Sequence, residues 1–184
     1  MATSSIAVLV GSLRKGSYTR KTVNALIELA DGRLDMKIVE IGGLSFYNED
    51  DEASPPAGWV AFRDAVRPVD GVLFATPEYN RSVPAVLKNA IDVVSRPYGK
   101  SVWDGKPAGV ISVSPGVIGG FGANHHLRQS LVFLNMPVLQ QPEAYVGGAA
   151  KLFDDAGKLT NDDTRKFLSG FVDAFEAWVL KHKK

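Results

Sequence analysis

Three apolar runs, SIAVLV at 5–10, GVLFA at 71–75 and AGVISVS at 108–114, constrain this chain more than any other feature. Each is almost continuously apolar and rich in β-branched residues. A strand with one wet face alternates apolar with polar positions, so unbroken runs point to strands covered on both faces, as in a parallel sheet. Two further strand-like runs lie at Asp35–Ile41 and around Pro137–Val146. Segments with helical spacing separate them. The first follows GSLRKGSYTR and places Val23, Leu26, Ile27 and Ala30 on one side, with Asp31-Gly32 as its stop. The second runs from about Pro56 to Val66, after a serine cap at Ser54. Others span Pro84–Ser95, Phe121–Leu134 and Asp162–Lys181. In the last, Phe167, Phe171, Phe175 and Trp178 recur at spacings that make an apolar stripe expected to face the sheet.

Strict alternation of five strands and five helices describes a doubly wound α/β sandwich of three layers, with a five-stranded parallel sheet in the middle. At 184 residues, with 45% hydrophobic and 22% charged side chains, the chain suits one domain, 1–184, built on one core. The net charge of +1 argues against a nucleic-acid surface. The basic end, Lys181-His182-Lys183-Lys184, reads as a solvated helix terminus. There is no cysteine, which removes disulfides, thiolate metal sites and cysteine nucleophiles together. No basic leader precedes the first apolar run, and no run is long enough to span a bilayer, so the expected setting is the cytoplasm without membrane insertion.

In a doubly wound sheet the ligand sits at the carboxyl edge, where strand order reverses. The loops after the first, third and fourth strands are therefore the candidates. In the first, Gly11 permits a sharp turn. Ser12, Ser17 and Thr19 offer hydroxyls near the positive end of the next helix, and Arg14 adds a planar fork, so the group suits a phosphate. Ser17 also reads as a plain helix cap and Arg14 with Lys15 as solvated charges. The loop is neither a Walker motif nor G-x-G-x-x-G, which favours a monophosphate over a pyrophosphate. Glu40 reads as a solvated strand-end charge.

The second loop, Thr76-Pro77-Glu78-Tyr79-Asn80-Arg81-Ser82-Val83-Pro84, is stiffened by prolines. Tyr79 and Asn80 give it an aromatic face beside an amide, which suits a flat heteroaromatic ring. Lys88 and Asp92 on the following helix read as an exposed pair. The third loop, Ser114-Pro115-Gly116-Val117-Ile118-Gly119-Gly120-Phe121-Gly122, is so rich in glycine that its backbone can approach a planar edge closely. His125 and His126 are adjacent, so they diverge on a helix and make no metal pair; they read as structural or interface residues. In 96–103 the aromatics look exposed enough to serve a subunit interface or a surface cover.

Taken together, G-S-L-R-K-G-S, P-E-Y-N-x-S-x-P-x-x-L-K-N-A-I-D-x-x-S-R-P and S-P-G-x-x-G-G resemble the NADPH-dependent FMN reductase family, and within it the bacterial quinone and chromate reductases. The resemblance covers essentially the whole chain. It implies a flavodoxin-like fold with FMN as cofactor and NADPH or NADH as co-substrate. It places Ser12, Arg14, Ser17 and Thr19 around the FMN phosphate, Pro77, Glu78, Tyr79 and Asn80 along the isoalloxazine, and Ser114, Gly116 and Gly119 over its other edge. Thr19 departs from the asparagine common in the family, though a hydroxyl can still donate to phosphate. The resemblance further implies ping-pong transfer to quinones, with chromate, azo compounds and free flavin as less selective acceptors, in a homodimer or homotetramer. The flavin carries the redox chemistry, so no protein nucleophile and no metal are called for. A second reading is a flavodoxin-type electron carrier, which the near-neutral charge disfavours. A hydrolase has no G-x-S-x-G elbow to support it.

Overall fold

In the computed structural model, which describes residues 3–183, β1 (Ser4–Val10), β2 (Leu34–Ile38), β3 (Gly71–Thr76), β4 (Ala108–Val113) and β5 (Ala144–Val146) form one parallel sheet in the order β2-β1-β3-β4-β5. Met1, Ala2 and Lys184 lie outside the described residues, and with them the ends of the N-terminal leader reading and of the basic tail. The order reverses between β1 and β3, whose register pairs Val10 with Ala75, and β3 pairs Thr76 with Ser112 at the end of β4. The carboxyl ends of these three strands therefore lie side by side.

The strands' apolar continuity has its reason in two separate cores, where the chain length suggested one, because the sheet divides the buried side chains between its two faces. Successive side chains on a strand point to opposite faces. Ile6, Val8, Val10, Leu73, Ala75, Ile111 and Val113 bury one face against α1 (Tyr18–Leu29) and α5 (Asp162–His182). Ala7, Leu9, Val72, Phe74, Ala108 and Val110 bury the other against α2 (Ala57–Val66), α3 (Ala85–Ser95) and α4 (Phe121–Phe133). This is the doubly wound three-layer sandwich expected from the alternation, and the flavodoxin-like fold that the resemblance implies.

Several elements differ from the sequence expectation. The run at Pro137–Val146 is a strand only at Ala144–Val146, with a single bridge from Val138 to Ala108 before it. Pro137 and Pro142 have no N–H to give to a ladder, so the segment between leaves the sheet. The expected strand to Ile41 stops at Ile38, although Ile41 is buried. Ser54 does not cap α2, whose N-cap is Pro56 with no side-chain bond. In α5 the buried face is Leu168, Phe171, Val172, Phe175 and Val179, while Phe167 sits off that stripe and is exposed. Trp103 is fully buried, donating Nε1–H to the Ile91 carbonyl at 2.9 Å; only Tyr98 of that aromatic group is exposed. At the C-terminus Lys183 donates to the Ser4 hydroxyl at 3.0 Å rather than standing free in solvent.

Candidate functional site

The loops after β1, β3 and β4 converge on one cleft of about 290 Å³ lined by Ser12, Arg14, Ser17, Tyr18, Thr19, Pro77, Glu78, Tyr79, Val113, Ser114 and Pro115. It draws together eight of the residues singled out above. Asn80, Gly116 and Gly119 lie in the same loops but not in its wall. A wider groove of about 560 Å³ opens between α3 and α4 around Lys88, His126 and Phe133, and holds none of the expected ligand residues. The smaller cleft is the candidate because the strand order reverses beside it and polar residues of all three loops line it.

Its first wall is built for an anion. The Gly11 amide continues the sheet by donating to the Ala75 carbonyl at 2.8 Å, and a Cβ there would press on Leu87 and Pro77 at 3.2 Å. The chain then leaves the ladder, and among the described residues the amides of Ser12, Leu13, Arg14, Lys15 and Gly16 find no protein acceptor. Ser17 is the N-cap of α1, its hydroxyl accepting from the Arg20 amide at 3.2 Å, which leaves its own proton for a ligand. Ser12 and Thr19 are nearly buried, and their hydroxyls have no protein partner among the described residues. Arg14 is exposed, donates to the Gly16 carbonyl at 2.8 Å and lies 5.3 Å over the Tyr18 ring. Uncommitted amides, hydroxyls and a guanidinium at a helix N-terminus make an oxyanion nest.

The second wall is a two-residue hairpin. Tyr79 and Ser82 exchange two backbone hydrogen bonds, of 3.1 and 3.0 Å, with Asn80 at φ 51° and Arg81 at φ 65° between them. Asn tolerates the left-handed region, whereas Arg rarely adopts it, so the turn is held by its surroundings. Tyr79 is half exposed and Pro77 lies behind it, giving an apolar surface with an aromatic ring.

The third wall comes from β4. The Ser114 hydroxyl accepts from the Gly116 amide at 3.1 Å. The loop is backed by the end of β5, where Ser114 N–H donates to the Val146 carbonyl and Gly148 N–H to the Gly116 carbonyl. A Cβ on Gly147 would stand 2.3 Å from the Val117 carbonyl oxygen, so the third loop and this segment touch backbone to backbone. The glycines thus serve contact between loops as well as freedom of turn.

Reading by residue type alone missed Tyr18, Val113 and Pro115, although each is adjacent to a residue that was singled out. It also missed Asn124, which is fully buried and donates to the Ser112 hydroxyl and the Ala144 carbonyl, both at 3.2 Å, anchoring α4 beneath the third loop. Glu40 is not simply solvated: Arg20 donates to both of its oxygens. Lys88 and Asp92 form the expected exposed pair at 2.9 Å. His126 Nδ1 shares a hydrogen bond with the Ser82 hydroxyl at 2.9 Å, and His125 Nε2 one with the Tyr145 hydroxyl at 2.9 Å. Burial, with help from Glu143, pushes the Tyr145 phenol up to about 12. Among the described residues no group of His, Asp or Glu is placed to hold a metal ion, and no helix is long and apolar enough to cross a membrane.

Comparison with known proteins matches residues 4–151 to the family model described as NADPH-dependent FMN reductase. The chain is 68% identical over 176 residues to a quinone reductase of Pseudomonas putida, covering 95% of this chain and 94% of the relative. It is 44% identical to a 2-hydroxy-1,4-benzoquinone reductase of a Burkholderia species, with 95% of each chain covered. Among solved structures, FerB, a flavoenzyme NAD(P)H:(acceptor) oxidoreductase of Paracoccus denitrificans, superposes with a TM-score of 0.94 at 44% identity, covering 99% of this chain and 100% of its own.

Proposed function

Because the chain belongs to the NADPH-dependent FMN reductase family, we propose that it is an FMN-dependent NAD(P)H oxidoreductase that reduces quinones at the cleft of the carboxyl edge. The observation that carries this reading is the convergence of three loops, one rich in uncommitted anion donors and one carrying a half-exposed aromatic, on a single cleft. FMN is both a phosphate and a flat ring, and the two walls fit its two parts. Ser12, Ser17 and Thr19 hydroxyls, the amides of 12–16 and the Arg14 guanidinium would hold the phosphate. Pro77, Glu78, Tyr79 and Asn80 would border the ring on one side, and Ser114, Gly116 and Gly119 on the other. When bound, FMN supplies acceptance of a hydride from NAD(P)H and its delivery as electrons to an acceptor.

The protein's part is to bind, orient and leave access. Thr19 replaces a longer amide, and its buried hydroxyl still faces the nest. Tyr79 is half exposed, and Val117, Ile118 and Phe121 stand out from the third loop, so an apolar, planar acceptor has surface to lie on. The relatives named quinone reductase and 2-hydroxy-1,4-benzoquinone reductase support quinones as that acceptor. Within this reading, chromate, azo compounds and free flavin are secondary acceptors, and one open face visited in turn gives ping-pong kinetics. The exposed Tyr98, Val132 and Phe133 support a homodimer or homotetramer, and the reading takes the chain as one domain at work in the cytoplasm.

The test is direct. The purified protein is expected to be yellow as isolated or after addition of FMN, to bleach with NADPH without oxygen, and to regain its colour with a quinone. Parallel double-reciprocal lines for NADPH and quinone are expected. A preparation that stays colourless with excess FMN and shows no heat of binding would overturn the reading.

A further inference from the structure

The helix α4 begins Gly120-Phe121-Gly122-Ala123, and this start has no capping side chain of its own. Its N-cap is Gly120, at φ 78°, and its first turn carries no acidic residue. The first amides of a helix lack intrahelical acceptors, and a carboxylate there satisfies one of them and meets the positive end of the dipole. The acceptor comes from the ring-side loop, 45 residues upstream: Ala123 N–H donates to Glu78 Oε2 at 3.0 Å. Two more contacts join the same partners. A Cβ on Gly122 would stand 2.8 Å from the Arg81 carbonyl oxygen and 3.0 Å from Glu78 Oε2, so only glycine lets the hairpin this close. One turn later His126 Nδ1 shares its hydrogen bond with Ser82.

We propose that Glu78 is a positioning residue that caps α4 from another loop, and that this cap, with Gly122 and His126, clamps the Tyr79–Ser82 hairpin in its left-handed turn. The first turn of α4 and the hairpin then form one jaw of the cleft. Tyr79 holds its place because Arg81, kept in the left-handed region, cannot relax while Glu78 and Ser82 on either side of the turn are tied to α4. The cap also places the Glu78 charge against a helix N-terminus, where the dipole offsets it, instead of leaving it bare beside a ring that gains electrons. The consequence for FMN rests on the flavin reading above; the clamp itself does not.

The test uses Glu78→Ala, Glu78→Gln and Gly122→Ala. In the protein without flavin, amide hydrogen exchange at 79–82 and 121–125 is expected to quicken about tenfold in Glu78→Ala and in Gly122→Ala. Glu78→Gln keeps an oxygen acceptor and stays within about threefold of the parent. FMN affinity follows the same order, and the KM for quinone rises more than kcat falls. Unchanged exchange at 121–125 in Glu78→Ala would overturn the cap. Faster exchange with unaltered FMN affinity and visible spectrum would overturn the coupling of cap to cleft. Failure of the parent protein to bind FMN would sink the flavin reading, while the exchange result would still decide the clamp.

Discussion

Arg20 holds Glu40 with both arms of its guanidinium, each nitrogen 2.8 Å from a carboxylate oxygen. The pair ties the first turn of α1 to the chain just beyond β2. It also commits the arginine nearest the helix start to a partner outside the cleft. Among the described residues Arg14 makes no such pair, and its one polar bond is to the carbonyl of Gly16, two residues on. Of two guanidiniums in one motif, one is paired within the fold and the other is the proposed phosphate ligand.

That division predicts opposite results for two alanine substitutions. A charge-assisted bond to phosphate contributes about 1.5–3 kcal/mol, so Arg14→Ala should weaken FMN binding roughly 10- to 100-fold. Its far-UV circular dichroism should not change. Arg20→Ala removes an exposed ion pair of about 0–1 kcal/mol and should leave FMN affinity within about threefold. Fluorescence titration of flavin into both proteins checks this. Equal losses would mean that Arg20 reaches the phosphate too.

Gly119 predicts a stability effect behind the cleft. It has φ 65°, and a Cβ would stand 2.8 Å from the Tyr145 carbonyl carbon and 3.0 Å from the Val146 nitrogen. Neither backbone can give way without disturbing β5. Gly119→Ala should therefore lower stability by about 2–4 kcal/mol in urea unfolding. Gly43→Ala, where nothing lies within 4 Å and φ is ordinary, should change it by less than about 1 kcal/mol. A Gly119→Ala midpoint equal to the parent's would show that the loop is free to move.

The sheet was legible because its signal is redundant: residues 5–10, 71–75 and 108–114 are almost continuously apolar, broken only by serines, as burial on both faces requires. Ser12, Ser17 and Thr19 stood out as hydroxyls gathered between a strand and a helix, and the structure brings all three to one cleft, with Ser17 also capping α1. Element ends were less so. Ser54 looks like a cap, yet the backbone turns helical only after Pro56, and no local rule says which of three neighbouring residues does so. Phe167 has the same spacing as Phe171 and Phe175 but lies 40° further round the helix, and spacing alone does not place the edge of a stripe. Contacts between loops were beyond reach. Nothing in PEYNRS says that Glu78 turns toward Ala123, because that bond depends on how β3 and α4 lie across one another.

Tyr79 should separate binding of acceptor from binding of flavin. Its ring is half exposed, and its backbone, not its hydroxyl, holds the hairpin. Tyr79→Ala should cost little stability. An offset aromatic contact contributes about 0.5–1.5 kcal/mol, so the KM for a benzoquinone should rise roughly 2- to 12-fold, with a smaller change in the KM for NADPH. Steady-state kinetics with each substrate varied would check it. Identical constants in the variant would remove Tyr79 from the acceptor's surface.

Tyr145 sets a prediction in alkali. Burial first, and then the neighbouring Glu143 carboxylate, hold its phenol protonated up to about 12, with Arg128 opposing, against about 10 in the unfolded chain. Between those values the unfolded chain has lost the proton and the folded one keeps it. Fewer protons bound in the unfolded state means that stability falls as pH rises, so this contribution is fully present below pH 10 and drains away from there to about 12. Tyr47, raised by its hydrogen bond to Glu52, adds a slope of the same sign. Tyr145→Phe has no proton to lose. Its urea stability should decline less steeply through this window than the parent's, with Tyr47→Phe as the comparison, and the tyrosinate absorbance titration should lose its most alkaline step. A parent and a Tyr145→Phe variant with equal slopes would mean that the phenol at β5 ionises as freely in the folded protein as in the unfolded one.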